Sequence, residues 1–226
     1  METPWVPFSL TYVEYPKGDL IGKFLALFSL LPIFIVIGFV TLIGFRRDLH
    51  TVTFFIGLLL DEIVNMIIKN VVRQPRPLRA ADSSHLLHNE YGMPSNHSQF
   101  MGFFSTYLVL FVYLKIVSDS SLIRTLWKHL ICFGTISVAG LVGFSRLYLQ
   151  YHTPPQILCG FFVGFLTGCI WFAFTDFCLK PYFPSIVAQP LCEYLMIRDC
   201  TRIPNILWFE YSMTRGEARR RERKSH

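Results

Sequence analysis

The sequence predicts an all-α protein, a polytopic membrane helix bundle of about five transmembrane helices in one unit. Three observations carry this. The chain is 52% hydrophobic with a mean hydropathy of +0.42. Only 16% of its 226 residues are charged, against about 25% in an ordinary soluble domain. The apolar residues are gathered into runs of membrane length, and charges cluster where those runs end.

Taken in order, residues 1–19 are polar, with Pro4, Pro7 and Pro16 set against regular structure. Met1 to Lys23 lacks a basic start followed by an apolar core, so no cleavable signal peptide is expected and the first span would serve as the insertion signal. Residues 24–45 carry no charge and suffice for a hydrocarbon core of about 30 Å, with Pro32 a kink that a membrane helix tolerates. Residues 51–68 form a second span carrying Asp61, Glu62 and Asn65. Charges in mid-bilayer cost about 2.5–3.5 kcal/mol each on insertion scales, so these must face protein or water. Helical spacing stacks Glu62, Asn65 and Lys69 on one face, either as a structural seam or as a polar stripe leading to Lys69.

A loop follows over 70–92, then a third span at 98–117 and a short polar loop with Arg124 and Lys128. The fourth span covers 130–144 and the fifth 157–179, with Asp176 near its far end. Beyond Lys180 the apolar patches at 191–197 and 206–209 are too short to span and suit an interface. There is no internal repeat. Six cysteines form no CxxC pair and read as small buried hydrophobes, not as a disulfide or metal framework. The net charge of +6 comes largely from Arg215 to Lys224, a solvated cytosolic tail near anionic headgroups; no aromatic-basic interleaving supports nucleic-acid binding.

Charge asymmetry sets the orientation. The loops at 46–50 and 115–129 and the C-terminal tail share one side and are basic, which marks that side as cytosolic. The opposite side then holds the N-terminus and the loops at 69–97 and 145–156. Lys69, Arg73, Arg76 and Arg79 break the positive-inside pattern there, and a binding site is the natural reason.

Three clusters meet on that face. Lys69, Arg73 and Arg76, read as one helical face disturbed by Pro75, would repel one another unless an anion sits among them; the alternative is a basic flank reaching to headgroups. Pro94-Ser95-Asn96-His97 opens the third span, so Ser95 reads as an N-cap and the helix start as an anion site, with His97 beside it. The Asn96-His97-Ser98 sequon is expected to be unused, because a glycan would fill the cleft. Ser145-Arg146 closes the fourth span and His152 precedes the fifth. Thr153-Pro154-Pro155-Gln156 reads as a capping box, yet Gln156 is also placed to orient His152; one side-chain conformation is not expected to do both.

Together, Lys69-x6-Arg76-Pro77, Pro94-Ser95-Asn96-His97 and Ser145-Arg146-x5-His152 resemble the tripartite signature of the type 2 phosphatidic acid phosphatase superfamily over residues 69–156. Tyr91-Gly-Met-Pro-Ser, Ser145-Arg-Leu-Tyr-Leu-Gln-Tyr-His and Ile203-Pro-Asn-Ile-Leu-Trp-Phe-Glu-Tyr further resemble the branch that acts on dolichyl diphosphate. The resemblance implies the lipid-phosphatase/haloperoxidase core and a two-step displacement without metal or other cofactor. His152 would be the nucleophile and His97 the proton donor. Lys69, Arg76, Ser95, Asn96 and Arg146 would bind the phosphate, Gln156 would orient His152, and Arg73 would be an electrostatic helper. Position 96 is Asn where the general pattern has Gly. Position 156 is Gln where many members have Asp, which is a feature of the dolichyl diphosphate branch.

The implied function is hydrolysis of dolichyl diphosphate to dolichyl phosphate at the luminal face of the endoplasmic reticulum, supporting dolichol recycling for N-glycosylation. Residues 1–19 would be a luminal segment, 20–179 the phosphatase core and 180–226 a cytosolic or interfacial segment. The expected partners are the polyisoprenoid diphosphate and the bilayer, with no nucleic acid. The rivals are a phosphatase of phosphatidate or related lipid monophosphates, and a non-catalytic anionic-lipid binder. The latter needs cations but not two histidines. A soluble haloperoxidase is excluded by the apolar spans.

Overall fold

The structure is a computed structural model and describes residues 5–7, 13–77, 91–115, 122–203 and 205–225. Arg79 and the middle of the loop at 70–92 lie outside them, as does the end of the third apolar run. A two-stranded antiparallel hairpin, β1 (Trp5–Pro7) and β2 (Glu14–Pro16), replaces the irregular N-terminus expected from its prolines. Pro7 and Pro16 sit at strand ends, where a missing N–H costs no ladder bond.

The first span divides into α1 (Leu20–Ser29) and α2 (Leu31–Arg46), broken at Leu30 just before Pro32. Then come α3 (Leu49–Val72), α4 (Asn96–Leu114), α5 (Leu122–Tyr148) and α6 (Pro154–Phe174). Helix α5 starts earlier than the sequence predicts and takes in Arg124 and Lys128, whose charges argue for a loop. After α6 a π-helical turn (Thr175–Leu179) and a 3-10 turn lead to α7 (Phe183–Val187), α8 (Pro190–Tyr194) and α9 (Ile206–Ser225). The basic tail is therefore helical.

Among the described residues, four helical stretches are long and apolar enough to cross a membrane: Leu20–Arg46, Leu49–Val72, Thr125–Tyr148 and Pro154–Val187. Helix α4, 19 residues and roughly 28 Å long, is the fifth of membrane length. It is less apolar because protein surrounds it: Ser98, Gln99, Ser105 and Tyr107 are all buried. The outer faces carry exposed Ile33, Phe34, Ile37, Leu59, Ile63, Phe162 and Phe165, as lipid contact requires.

The α4–α6 pair is the centre of the bundle. Along α6, Gly160, Gly164 and Gly168 lie against the α4 backbone: a Cβ at Gly160 would come 2.7 Å from the Ser95 carbonyl, and one at Gly164 would overlap the Gln99 carbonyl. Small residues at four-residue spacing let two membrane helices approach this closely. An aromatic core of Phe39, Phe54, Phe103, Tyr107 and Phe172 fills the space between α2, α3, α4 and α6.

Polar side chains in mid-bundle bond to one another. Asp61 accepts from Gln99 at 3.0 Å and Thr167 at 2.6 Å, and Asn65 donates to Gln99 at 2.8 Å, which pins α3, α4 and α6 together. Asp61 and Asn65 therefore form a structural seam. It ends on Lys69, one further turn along α3, so both sequence readings of this stripe hold in part.

At the end of the bundle where α3 starts, the C-terminal segment is knitted to Arg46–Leu49. Leu49 donates to the Arg198 carbonyl, Cys200 to Asp48, and Glu210 pairs with Arg198 at 3.0 Å and Arg46 at 3.7 Å. Lys115 and Lys180 both pair with Asp176.

Candidate active site

The opposite end of the bundle gathers the C-termini of α3 and α5 with the N-termini of α4 and α6. Helix α3 stops at Val72, with Arg73 left-handed at φ 51° as its C-cap. Gln74 precedes Pro75, and a residue before proline disfavours helix, which is why α3 ends short of Arg76. Lys69, Arg73 and Arg76 consequently do not share one helical face, contrary to the sequence expectation. Arg73 is exposed and bonds back to the Asn70 carbonyl, away from the cluster. Arg76 arrives on an extended segment held by a bridge between Pro75 and Tyr91 and by the Gly92 N–H on the Gln74 carbonyl.

Ser95 is the N-cap residue of α4 and wholly buried, but its hydroxyl accepts from Ser98 and does not cap the helix. Its N–H donates to the Gln156 carbonyl at 3.1 Å, which fastens the start of α4 to the start of α6. Asn96 turns its side-chain amide to Glu62 at 2.5 Å, so what it leaves at the helix start is backbone. His97, half-buried in the first turn, lies beside the Ser29 backbone and within electrostatic reach of Arg146, His152 and Arg76.

Helix α5 ends in a tight reversal. Gln150 is left-handed at φ 56°, and the N–H groups of Tyr151 and His152 fold back onto the Arg146 carbonyl at 3.0 and 3.2 Å. That turn, more than the spacing between them, puts His152 beside Arg146. Arg146 is 4% exposed; its guanidinium sits over Tyr151, 4.0 Å from the ring centroid, and donates to the Ser29 hydroxyl at 2.6 Å.

His152, 3% exposed, shares its Nδ1 with Gln156 Oε1 at 3.1 Å. The same Oε1 accepts from the Thr153 N–H at 3.3 Å, while Gln156 Nε2 donates to the Pro75 carbonyl at 3.0 Å. One conformation of Gln156 thus serves both as the N3 partner of a capping box and as the partner of His152, against the expectation that it could do only one. The reason is that an amide oxygen has two lone pairs. A backbone N–H can only donate and a backbone carbonyl can only accept, so Thr153 and Pro75 fix which way the amide faces. Facing that way, it makes Nδ1 of His152 the protonated nitrogen and leaves Nε2 with a free lone pair. Burial, then the charges of Arg146 and Arg76, hold the His152 imidazole well below the usual histidine range, so it is neutral at pH 7.

Among the described residues, Lys69 Nζ, Arg76 Nε and Arg146 Nε are buried without a hydrogen-bond partner. Lys69 is within electrostatic reach of Arg76 and Arg146. Buried cationic donors left open toward one another are unfavourable unless an anion completes them. Two residues of this constellation were not singled out from sequence, Ser29 and Tyr151. The signal available for Ser29 was a serine three residues ahead of a proline in the span that proline breaks.

Known proteins resemble this chain over most of its length. Residues 50–179 match the model of the PAP2 superfamily. The chain is 50% identical over 222 residues to Dolichyldiphosphatase 1 of Homo sapiens, covering 97% of this chain and 92% of that protein. It is 39% identical over 204 residues to Dolichyldiphosphatase 1 of Dictyostelium discoideum, covering 90% and 86%. It is 38% identical over 214 residues to Lipid phosphate phosphatase gamma of Arabidopsis thaliana, covering 92% and 90%. No solved structure matches it.

Proposed function

The chain belongs to the PAP2 superfamily, and from that premise we propose that it removes the terminal phosphate of dolichyl diphosphate through a phosphohistidine on His152. The observation that carries the chemistry is the set of three cations, each with a buried N–H group left open, around a neutral, oriented histidine. The names of its relatives at 50% and 39% identity support the substrate.

Lys69, Arg76 and Arg146, with the N–H groups that open α4, hold the oxygens of the terminal phosphate, Arg in forks and Lys as a point charge. The Nε2 lone pair of His152 attacks phosphorus, the phosphorus–bridging oxygen bond breaks, and His97 gives its proton to the departing dolichyl phosphate. His97 then takes a proton from water as that water attacks the phosphohistidine, and the P–N bond breaks to release inorganic phosphate. Charge passes through the equatorial oxygens in both steps, where the fixed cations stabilise it. Gln156 holds the tautomer throughout.

The orientation follows from charge. The far end of the bundle holds Arg46, Arg47, Lys115, Lys180, Arg198 and the basic helix α9, which supports a cytosolic placement and so a luminal active site. A site at the level of helix ends suits a substrate arriving by lateral diffusion in the bilayer. On this reading residues 1–19 are luminal, 20–179 form the catalytic core and 180–226 the cytosolic segment, in the endoplasmic-reticulum membrane, where dolichyl phosphate made at the luminal face returns to N-glycosylation. The second reading, hydrolysis of a lipid monophosphate such as phosphatidate, has in its favour the name of the Arabidopsis relative.

Phosphate release by purified protein from dolichyl diphosphate and from phosphatidate, with His152→Ala alongside, decides between them. Preference for the diphosphate with loss of turnover in a folded variant is expected. Preference for phosphatidate keeps the mechanism and overturns the substrate; a variant with near wild-type rate overturns the nucleophile.

A further inference from the structure

The break in the first membrane span has a local cause. Pro32 has no N–H to give the Phe28 carbonyl, and the Leu30 N–H turns back to the Leu27 carbonyl at 3.1 Å, which closes α1. The Ile33 N–H, which an unbroken helix would send to Ser29, goes to the Leu30 carbonyl at 3.0 Å, as does that of Phe34 at 3.3 Å. The Ser29 carbonyl is therefore released from the helix ladder at a point inside the bundle, where Ser29 is wholly buried. A freed carbonyl buried in a membrane helix must find another donor. The ring of His97 lies beside it at the start of α4.

The side chain of the same residue is engaged on the same site. Its hydroxyl accepts from Arg146 Nη1 at 2.6 Å, while the Tyr151 ring supports the guanidinium face 4.0 Å away. The Tyr151 hydroxyl in turn accepts from the Glu14 N–H at 2.9 Å, and Ala26, Leu149 and Tyr151 pack together with Val13 and Tyr15. The N-terminal hairpin and α1 thus cover the α5–α6 turn from outside the signature residues. Gripped at Nη1 and along its face, Arg146 keeps one direction for its remaining donors, including the unpartnered Nε.

We propose that Ser29 is a positioning residue of the active site, its hydroxyl aiming Arg146 at the phosphate and its proline-released carbonyl fixing the tautomer of His97. The proposal rests on the phosphatase reading above for what the site does, but not for which atoms Ser29 holds. With the Ser29 carbonyl holding one ring N–H, the other nitrogen of His97 faces the site: it carries the proton given to the leaving group in the first step, is bare after it, and takes a proton from water in the second. Gln156 does the same for His152 from the opposite side, so each histidine has its tautomer set by a group outside the phosphate shell.

The test uses the full-length purified protein with inorganic phosphate as probe. Ser29→Ala keeps the carbonyl and removes the hydroxyl. Phosphate affinity, measured as ligand-induced thermal stabilisation, should fall about tenfold or more, as expected for losing a hydrogen bond to a charged group, and KM should rise more than kcat falls. Ser29→Thr, which retains the hydroxyl, should recover the affinity. Pro32→Ala restores a donor and lets Ile33 reclaim the Ser29 carbonyl. With 15N-labelled histidine, His97 should then move from a single-tautomer shift pattern in wild type to a mixed one. Unchanged phosphate affinity in Ser29→Ala, or a loss of turnover with affinity and His97 shifts both unchanged, would overturn the proposal by showing a packing role only. An identical His97 pattern in Pro32→Ala would overturn its carbonyl half. Failure of wild type to hydrolyse dolichyl diphosphate would instead sink the substrate reading and leave the phosphate-affinity result standing.

Discussion

Replacing Gln156 with Leu removes an amide that makes four contacts: His152 Nδ1 at 3.1 Å, the Thr153 N–H at 3.3 Å, the Pro75 carbonyl at 3.0 Å and Gln74 Oε1 at 3.3 Å. In the resting enzyme the bond to neutral imidazole is worth about 1 kcal/mol, roughly fivefold in favour of the reactive tautomer. As Nε2 bonds to phosphorus the ring becomes positive, and the same bond becomes charge-assisted and about twice as strong. The difference, about 1 kcal/mol, appears only in the transition state, so kcat should fall about fivefold or somewhat more with KM little changed. The stability cost stays near the low end, about 2 kcal/mol, because Pro75 is exposed and Thr153 half-buried, and water can reach the orphaned groups. Gln156→Glu offers more charge to the ring but sets a carboxylate against the Pro75 carbonyl and Gln74 Oε1, so it should not exceed wild type. The assay is steady-state phosphate release in detergent, with thermal unfolding of each variant beside it. A Leu variant within twofold of wild-type kcat would refute the orienting role, and a faster Glu variant would refute the claim that two one-way backbone groups demand an amide.

Further outcomes follow from the same geometry. Since burial and the Arg146 and Arg76 charges keep His152 neutral, the acid limb of kcat/KM assigned to it should lie below the ordinary histidine value of about 6.5; a limb at 6.5 or above counts against it. The linked stability has a definite sign. The unfolded chain protonates this histidine first, so stability is full above about pH 6.5 and declines as pH falls from there, which urea midpoints at pH 7.5 and 5.5 would read. Gly164→Ala, which in an open helix would gain up to about 1 kcal/mol, should instead cost about 1–3 kcal/mol because its Cβ meets the Gln99 carbonyl and sits 2.8 Å from the Phe103 N. An unchanged or raised melting temperature would mean α4 and α6 are not in that contact.

Most of the architecture was legible because membrane spans announce themselves locally: the bilayer asks for about twenty apolar residues in a row, and each run is written in one stretch of chain. Pro32 placed the break in the first span, and Thr153-Pro154-Pro155 placed the start of α6. The weaker estimates came where sequence competes with itself. The helical reading of Lys69 through Arg76 gave too much weight to spacing and too little to the residue before Pro75. The prolines of the polar N-terminal segment argue against regular structure, yet the paired strands place Pro7 and Pro16 at their ends.

By itself, the sequence determined that this is a multi-span membrane protein and which residues meet at one end of it: Lys69, Arg76, Ser95, His97, Arg146 and His152 all lie at span ends, and alternating helix direction brings those ends together. Tertiary structure alone decided how each is held. That Asn96 turns to Glu62, that one Gln156 amide answers both Thr153 and His152, and that Ser29 reaches Arg146 across 117 positions of sequence depend on distances of about 3 Å between separate helices. Hydrogen-bond direction is set by which donor meets which acceptor, and no periodicity along one chain encodes that meeting.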